Sequence, residues 1–433
     1  MIINTNVVGI IADDLTGAND SALQFHLKGS NTHILLNDES TPANIENAQT
    51  WAISTESRNV VDCDAYEKVK KTTQMYLELF KPDHFFKKID STVRGNIAIE
   101  VLGVLETLDW DAAVVIPAFP REKRITVGGY HLLNGEPVER TEMARDPHSP
   151  ISESYLPKLF KSQLPDECGE VIAHIDLDTV TEGAGPILKR INDLIKDGKK
   201  LIVADAVSNT DIDQLALAIT KSEYKILPAG TAASARAFSN IWVSEDEEER
   251  QKPILPNLPK LVISGSATQI TANQIDKFEK NNESGAYILS LDLPNVLEGV
   301  QIDLVDDVVS NLNSNRTVLI HTSNLFKNYS GISEESLSAE LTKAELADAI
   351  TEYLAELTKQ ITDRQDVILI TLGGETSYKC CAKIGINQLE LVDEVAPAIA
   401  LSKDNKDRFV VTKSGNLGGA NTLIDILEYF QEG

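Results

Sequence analysis

The chain has 433 residues, 42% hydrophobic and 24% charged, which is the profile of a globular protein too long for one ordinary core. Its 66 acidic residues against 40 basic ones leave a formal charge of −26, an excess that repels nucleic acid and anionic membrane surfaces and argues against both as partners. Cys63, Cys168, Cys380 and Cys381 lack zinc-ligand spacing, no run of about 18 apolar residues occurs, and the start of the chain lacks a basic leader, so a cytoplasmic protein is expected.

From Val7 onward, short β-branched runs alternate with longer helical periods. Strands are expected at Val7–Ile11, Thr32–Leu36, Thr50–Ser54, Phe85–Ile89 and Ala112–Ile116, with helices at Ala18–Lys28, Val60–Phe80 and Ile97–Leu108. Val171–Ile175 and Leu201–Ala204 read as further strands with the helix Gly183–Lys196 between them. Residues 244–259 combine a run of charges with three prolines and read as a linker. Beyond it, Leu261–Ser264, Ala286–Ser290, Thr317–His321 and Val367–Thr371 read as strands, and Thr271–Asn281, Leu341–Thr362 and Ile424–Phe430 as helices. The expected fold is two α/β domains with mainly parallel sheets, residues 1–243 and 260–433, the first for a substrate and the second for a nucleotide.

Three segments of the first domain carry chemistry. Asp13 and Asp14, in Ala12-Asp-Asp-Leu-Thr-Gly17, directly follow a strand, where open α/β sheets place their ligands. A carboxylate there suits a general base or a Mg²⁺ ligand; the plainer alternative is a helix cap. Lys88, Asp90, Ser91 and Arg94 lie at another strand end with a helix following, which together make a receptor for a carboxylate or phosphate. A structural Asp90–Arg94 ion pair is the competing explanation, and Arg58 offers a further cation at the same rim. Residues 117–150 form a long segment dense in Gly, Pro, Arg and His, expected to be an ordered binding loop, in which Arg121, Arg124, His131 and Asp146 stand out. His131 also fits an ordinary hydrogen-bonded loop histidine.

The second domain places glycine-rich turns after strands: Ser264-Gly-Ser-Ala-Thr268, Gly373-Gly-Glu-Thr-Ser377 and Lys413-Ser-Gly-Asn-Leu-Gly-Gly419. Glycine lets backbone amides approach phosphate oxygens. No single turn has Walker or dinucleotide spacing, so the nucleotide reading rests on the three together.

These segments in this order, ADDLTGAND, KKIDSTVRGN, PAFPREKRITVGGYH, TEMARDPHSP, SGS, GGET and KSGNLGG, resemble the four-carbon acid sugar kinase family across nearly the whole chain. The resemblance implies ATP-dependent phosphorylation of the 4-hydroxyl of a tetronic acid, with ATP and Mg²⁺ as cofactors. It implies substrate contacts at Asp14, Arg58, Lys88, Ile89, Asp90, Ser91 and Arg94. Ser266, Gly373, Gly374, Glu375, Thr376 and Gly415 become ATP residues, with Lys413 beside them. Asp14 is the favoured base, with Asp13 and Asp90 as the other candidates. The IDSTVRGN version points to the D-threonate branch, with 3-oxo-tetronate or D-erythronate as alternative acceptors and an inactive acid-sugar-binding regulator as a third reading. Metal ligands and the question of a homo-oligomer are not legible. Ala396-Pro-Ala-Ile399 stands where members more often carry Pro-Gly-Val.

Overall fold

The computed structural model describes residues 7–39, 42, 48–165, 170–243, 253–282, 285–323, 325 and 342–431. The charged part of the expected linker, 244–252, and Cys168 lie outside these residues. The chain divides into two compact units, Met1–Glu248 and Glu249–Gly433.

The first unit opens β1 (Val8–Ala12), α1 (Leu15–His26), β2 (Thr32–Leu35), β3 (Thr50–Ser54), α2 (Asp62–Leu79), β4 (His84–Lys88), α3 (Ile97–Leu108) and β5 (Ala112–Ile116). Every residue of β1 and β5 is buried, as strands covered on both faces require. After an inserted segment come α4 (Leu156–Ser162), β9 (Ile172–Ile175), α5 (Leu177–Thr181), α6 (Ala184–Lys196), β10 (Leu201–Ala204), α7 (Asn209–Thr220), β11 (Ile226–Gly230) and α8 (Ala232–Trp242). The strands pair in parallel in the order β2-β3-β1-β4-β11-β5-β10-β9. The chain runs outward from β1 to β2, returns to β3 beside β1, then crosses to β4 on the other side. That reversal of order opens a crevice at the carboxyl ends of β1 and β4.

Two expectations change here. Helix α1 begins at Leu15 instead of Ala18, because the Asp14 carboxylate accepts the Gly17 N–H at 2.8 Å and caps the helix early. Much of the long segment is regular: β6 (Arg124–Val127), β7 (Tyr130–Leu133) and β8 (Glu136–Pro137) form a small antiparallel sheet. Its Arg/Thr/Val and Tyr/His/Leu runs flank Gly128-Gly129, both at positive φ, which is a hairpin signal.

The second unit contains β12 (Lys260–Ser264), α9 (Gln269–Lys280), β13 (Tyr287–Ser290), β14 (Val318–His321), β15 (Ile368–Leu372), β16 (Gln388–Ala396), β17 (Ile399–Asp404) and β18 (Phe409–Lys413). The order is β13-β14-β12-β15-β18-β17-β16. The first five are parallel, while β17 runs antiparallel to both β18 and β16. At the β16–β17 turn Ala398 has φ +63°, where an L-residue is strained by about 1–2 kcal/mol. Ala398→Gly is therefore expected to raise stability by about 1 kcal/mol, read as a higher guanidinium midpoint by far-UV circular dichroism. An unchanged midpoint would mean that the turn carries no such strain.

Candidate active site

The adjacent lysines of β4 show how the strand sorts its charges. Successive strand side chains point to opposite faces. Lys87 meets Glu100 of α3 at 2.7 Å with both side chains nearly inaccessible, while Lys88 faces α1, 3.7 Å from Asp20, and donates to the Ile89 carbonyl at 2.9 Å. Lys87 is thus a core ion pair and Lys88 a rim cation.

Around Lys88 the crevice is a dense ionic cluster. Arg58 donates through Nε to Asp13 and through Nη1 to Asp14, each at 2.7 Å, and its Nη2 lies 3.7 Å from Asp90. Arg94 grips Asp90 with two nitrogens at 2.9 and 3.1 Å and reaches Asp146 at 2.8 Å. Asp90 also accepts the backbone N–H groups of Thr92 and Arg94. Its loop forces Val93 to φ +61°, an outlier for a β-branched residue and the kind of strain that clusters at functional sites.

The charge states follow from these partners. Burial alone would raise the Asp14 and Asp90 carboxyls, but Arg58 with Lys88, and Arg94 with Arg58, outweigh it and hold both below the ordinary range. Burial works against the Arg58 and Arg94 charges as well, and the surrounding aspartates overcome it. Two carboxyls behave differently. Asp20 is pushed up to about 6 and Glu56 to about 8, both chiefly by burial. Glu56 accepts the Leu15 N–H at 3.0 Å and braces the start of α1.

The long segment returns to this cluster. Arg124 is buried and donates to the Ser91 hydroxyl. His131 contacts the Ser91 carbonyl at 3.0 Å and the Thr126 hydroxyl at 3.1 Å, and burial lowers it to about 4, so it is neutral near pH 7. Asp146 binds Arg94, whereas Arg121 is exposed on a short 3-10 turn at Pro120–Glu122. Arg58, Val93, Arg94, Asn96, His148 and Gln163 are among the residues lining a cavity of about 330 Å³ next to the cluster.

Sequence reading brought Asp13, Asp14, Arg58, Lys88, Ile89, Asp90, Ser91 and Arg94 to one crevice, and the structure gathers the charged residues and Ser91 there, whereas the Ile89 side chain is buried in the hydrophobic core and only its carbonyl meets Lys88. It missed Asp20 and Glu56. Asp20 was present in the quoted ADDLTGAND motif, but only the fold shows that α1 aims it at Lys88.

In the second unit β12, β15 and β18 are adjacent and parallel, so the three glycine-rich turns leave the same edge. Gly373, at φ +115°, caps the helix Gly374–Lys383 without any side-chain cap bond, and a helix N-terminus of this kind suits an anion. A methyl at Gly415 would sit 2.5 Å from the Ser266 Oγ and 3.2 Å from the Thr268 methyl, so a side chain there would displace the Ser266 hydroxyl. The Gly415 carbonyl accepts the hydroxyls of Thr268 and Thr271 at 2.7 and 2.8 Å. Lys413 is wholly buried, its ammonium donating to the Ser414 carbonyl at 2.7 Å. Thr376 is buried and Glu375 pairs with Lys379 at 3.0 Å.

No helix among the described residues is long and apolar enough to cross a membrane. Residues 8–238 match a sugar-binding N-terminal domain and 261–423 a nucleotide-binding C-terminal domain. The chain is 28% identical over 441 residues to a D-erythronate kinase of Heliobacterium modesticaldum, covering 98% of this chain and 97% of that one. It is 28% identical over 434 residues to a D-threonate kinase of Salmonella typhimurium, with 98% of each covered, and 26% over 438 residues to a 3-oxo-tetronate kinase of Haemophilus influenzae, with 98% and 99% covered. A solved Haemophilus influenzae structure of the DUF1537 family has the same fold, with a TM-score of 0.69 and 24% identity over 98% of this chain and 99% of that one. A sugar-binding domain joined to a nucleotide-binding domain, with full-length likeness to three tetronate kinases, makes this chain an ATP-dependent member of the four-carbon acid sugar kinase family.

Proposed function

We propose that the protein transfers the γ-phosphoryl group of ATP to O4 of D-threonate, giving 4-phospho-D-threonate and ADP. The observation that carries the acceptor side is the Arg58 cluster, in which one guanidinium organises three aspartates around Lys88 and Ser91 at the crevice between β1 and β4. Such a cluster offers hydrogen-bond acceptors for hydroxyls and cations for a carboxylate. The acid's carboxylate is assigned to the side of Ser91 and the outer nitrogen of Arg58, and its O4 end to Lys88. Asp14 has one oxygen on the Gly17 N–H and the other on Thr16 and Arg58. Its role in this reading is to anchor Arg58 and α1 rather than to act as base.

ATP is assigned to the three turns of the second unit. Backbone amides of 373–376, with the Ser266 and Thr376 hydroxyls, suit the phosphates. Lys413, held inside its turn, would order the chain at Gly415 instead of touching a phosphate. Mg²⁺ suits this donor set when carried on the phosphates, since that ion keeps few protein ligands, and it would screen their charge. Catalysis of this type is mainly positioning and electrostatic stabilisation.

D-Threonate is preferred on the IDSTVRGN segment. Its C2 epimer D-erythronate is the second reading, favoured by the full-length likeness to a D-erythronate kinase. Coupled ADP release with Mg-ATP against D-threonate, D-erythronate, their L-isomers and the 3-oxo acids separates them. D-Threonate is expected to give the highest kcat/KM. A higher value for D-erythronate or a 3-oxo acid would move the assignment to that acceptor, and ATP turnover with none of them would remove the function.

A further inference from the structure

Phosphoryl transfer to a hydroxyl needs an acceptor for its proton, and most carboxylates around the crevice are already committed. Both oxygens of Asp14 hold the start of α1 and Arg58. Both oxygens of Asp90 are taken by Arg94, one also by Thr92. Asp146 spends one oxygen on Arg94 and the other on the N–H groups of His148 and Ser149. One oxygen of Asp13 is on Arg58, and the other is sealed from solvent. The cations beside Asp14, Asp90 and Asp146 outweigh burial and hold those carboxyls below the ordinary range, which makes them weak bases.

Asp20 is the exception. It stands on α1 beside Lys88, its side chain is 16% exposed, and among the described residues its oxygens accept the Ser21 hydroxyl at 3.1 Å, with the Lys88 ammonium at 3.7 Å. Asp20 is thus partly exposed and not clamped by a cation; Glu56, a second carboxyl with no cation on it among the described residues, accepts the Leu15 N–H and the Ser54 hydroxyl, and burial pushes it up to about 8, which leaves it protonated near pH 7.

We propose that Asp20 is the general base that takes the proton from O4 of the acceptor, with Lys88 beside it to attract the incoming phosphoryl group. The assignment rests on the tetronate kinase reading above. In the step, O4 forms its bond to the γ-phosphorus, the bond from that phosphorus to the β,γ-bridging oxygen breaks, and the O4 proton passes to an Asp20 oxygen. The charged groups acting on Asp20 are Lys88 from β4, Asp14 at the head of α1 and Asp13 at the end of β1. Burial, only partly offset by Lys88, raises the carboxyl to about 6, which leaves it ionised yet basic near pH 7.

The test compares wild type, Asp20→Asn and Asp20→Glu across pH 5–9, using the tetronate that wild type phosphorylates best. Wild-type kcat should fall with unit slope below pH about 6. Asp20→Asn should lose about 10²–10⁴-fold in kcat with KM for ATP unchanged, and should lose that acidic limb. Asp20→Glu should recover part of the rate with a displaced limb, and it carries the test where Asp20→Asn unfolds. Near wild-type kcat in Asp20→Asn, or the same acidic limb in it, overturns the base while leaving the kinase intact. Wild type silent with every tetronate overturns the functional reading, and the base with it.

Discussion

Arg58→Ala is expected to destabilise the first unit by about 3–5 kcal/mol, because it strands carboxylates that are nearly out of water and have one guanidinium in common. Arg58 is 11% exposed at its side chain, Asp13 3% and Asp14 10%. Arg58→Lys should recover only part of the loss, since a point charge cannot bind two carboxylates with separate nitrogens as the planar fork does. The pH dependence has a definite sign. Asp14 and Asp90 titrate below their unfolded values, so wild type gains stability from them above about pH 4 and loses it as pH falls through the depressed values. The deficit of Arg58→Ala should therefore be widest at neutral pH and shrink in acid. All three tryptophans, Trp51, Trp110 and Trp242, lie in the first unit, so intrinsic fluorescence during a guanidinium melt reports that unit alone. A deficit that stays constant down to pH 3 would contradict the ionic account.

Lys87→Met should produce a loss of similar size for a different reason. Glu100 is 2% exposed at its side chain, and Lys87 is its cation at 2.7 Å. Burial already raises the Glu100 carboxyl despite Lys87. Without that cation it must take up a proton or remain as a buried bare charge, either way costing about 3–5 kcal/mol at neutral pH. A carboxyl whose folded value lies above its unfolded one binds more protons when folded, so the variant should lose stability as pH rises through that window. Lys87→Met combined with Glu100→Leu should regain most of the loss, as replacing both members of a buried pair by apolar groups is often neutral. If the double variant is as unstable as the single one, packing around Lys87, not charge, dominates.

The alternation of strands and helices and the position of both aspartates after β1 were legible because they depend on local periodicity. The three glycine-rich turns of the second unit were legible because glycine after a strand is a local signal. Partnerships were not. Lys87 and Lys88 are adjacent letters with opposite fates, decided by which strand face meets α3 and which meets α1. Glu100 sits in the apolar run Ile97-Ala-Ile-Glu-Val-Leu102, where one charge looks like a solvated position until β4 packs under it. The β16–β17 hairpin escaped because β16 carries register shifts at Leu391/Asp393 and Glu394/Ala396, which break the alternation that marks a strand. Lys413 follows the same rule: its hydrogen bond to the Thr271 hydroxyl at 3.4 Å joins residues remote in the chain.

The most direct test of the account is nuclear magnetic resonance of the product formed from Mg-ATP and ¹³C-labelled D-threonate. The account predicts one new phosphate monoester with phosphorus coupling to C4 and a stoichiometric yield of ADP. A phosphorus–proton correlation to the C2 or C3 proton in place of the two C4 protons, or an acyl phosphate at the carboxyl, would contradict the placement of O4 beside Lys88, and release of inorganic phosphate without an ester would contradict acceptor binding in the crevice.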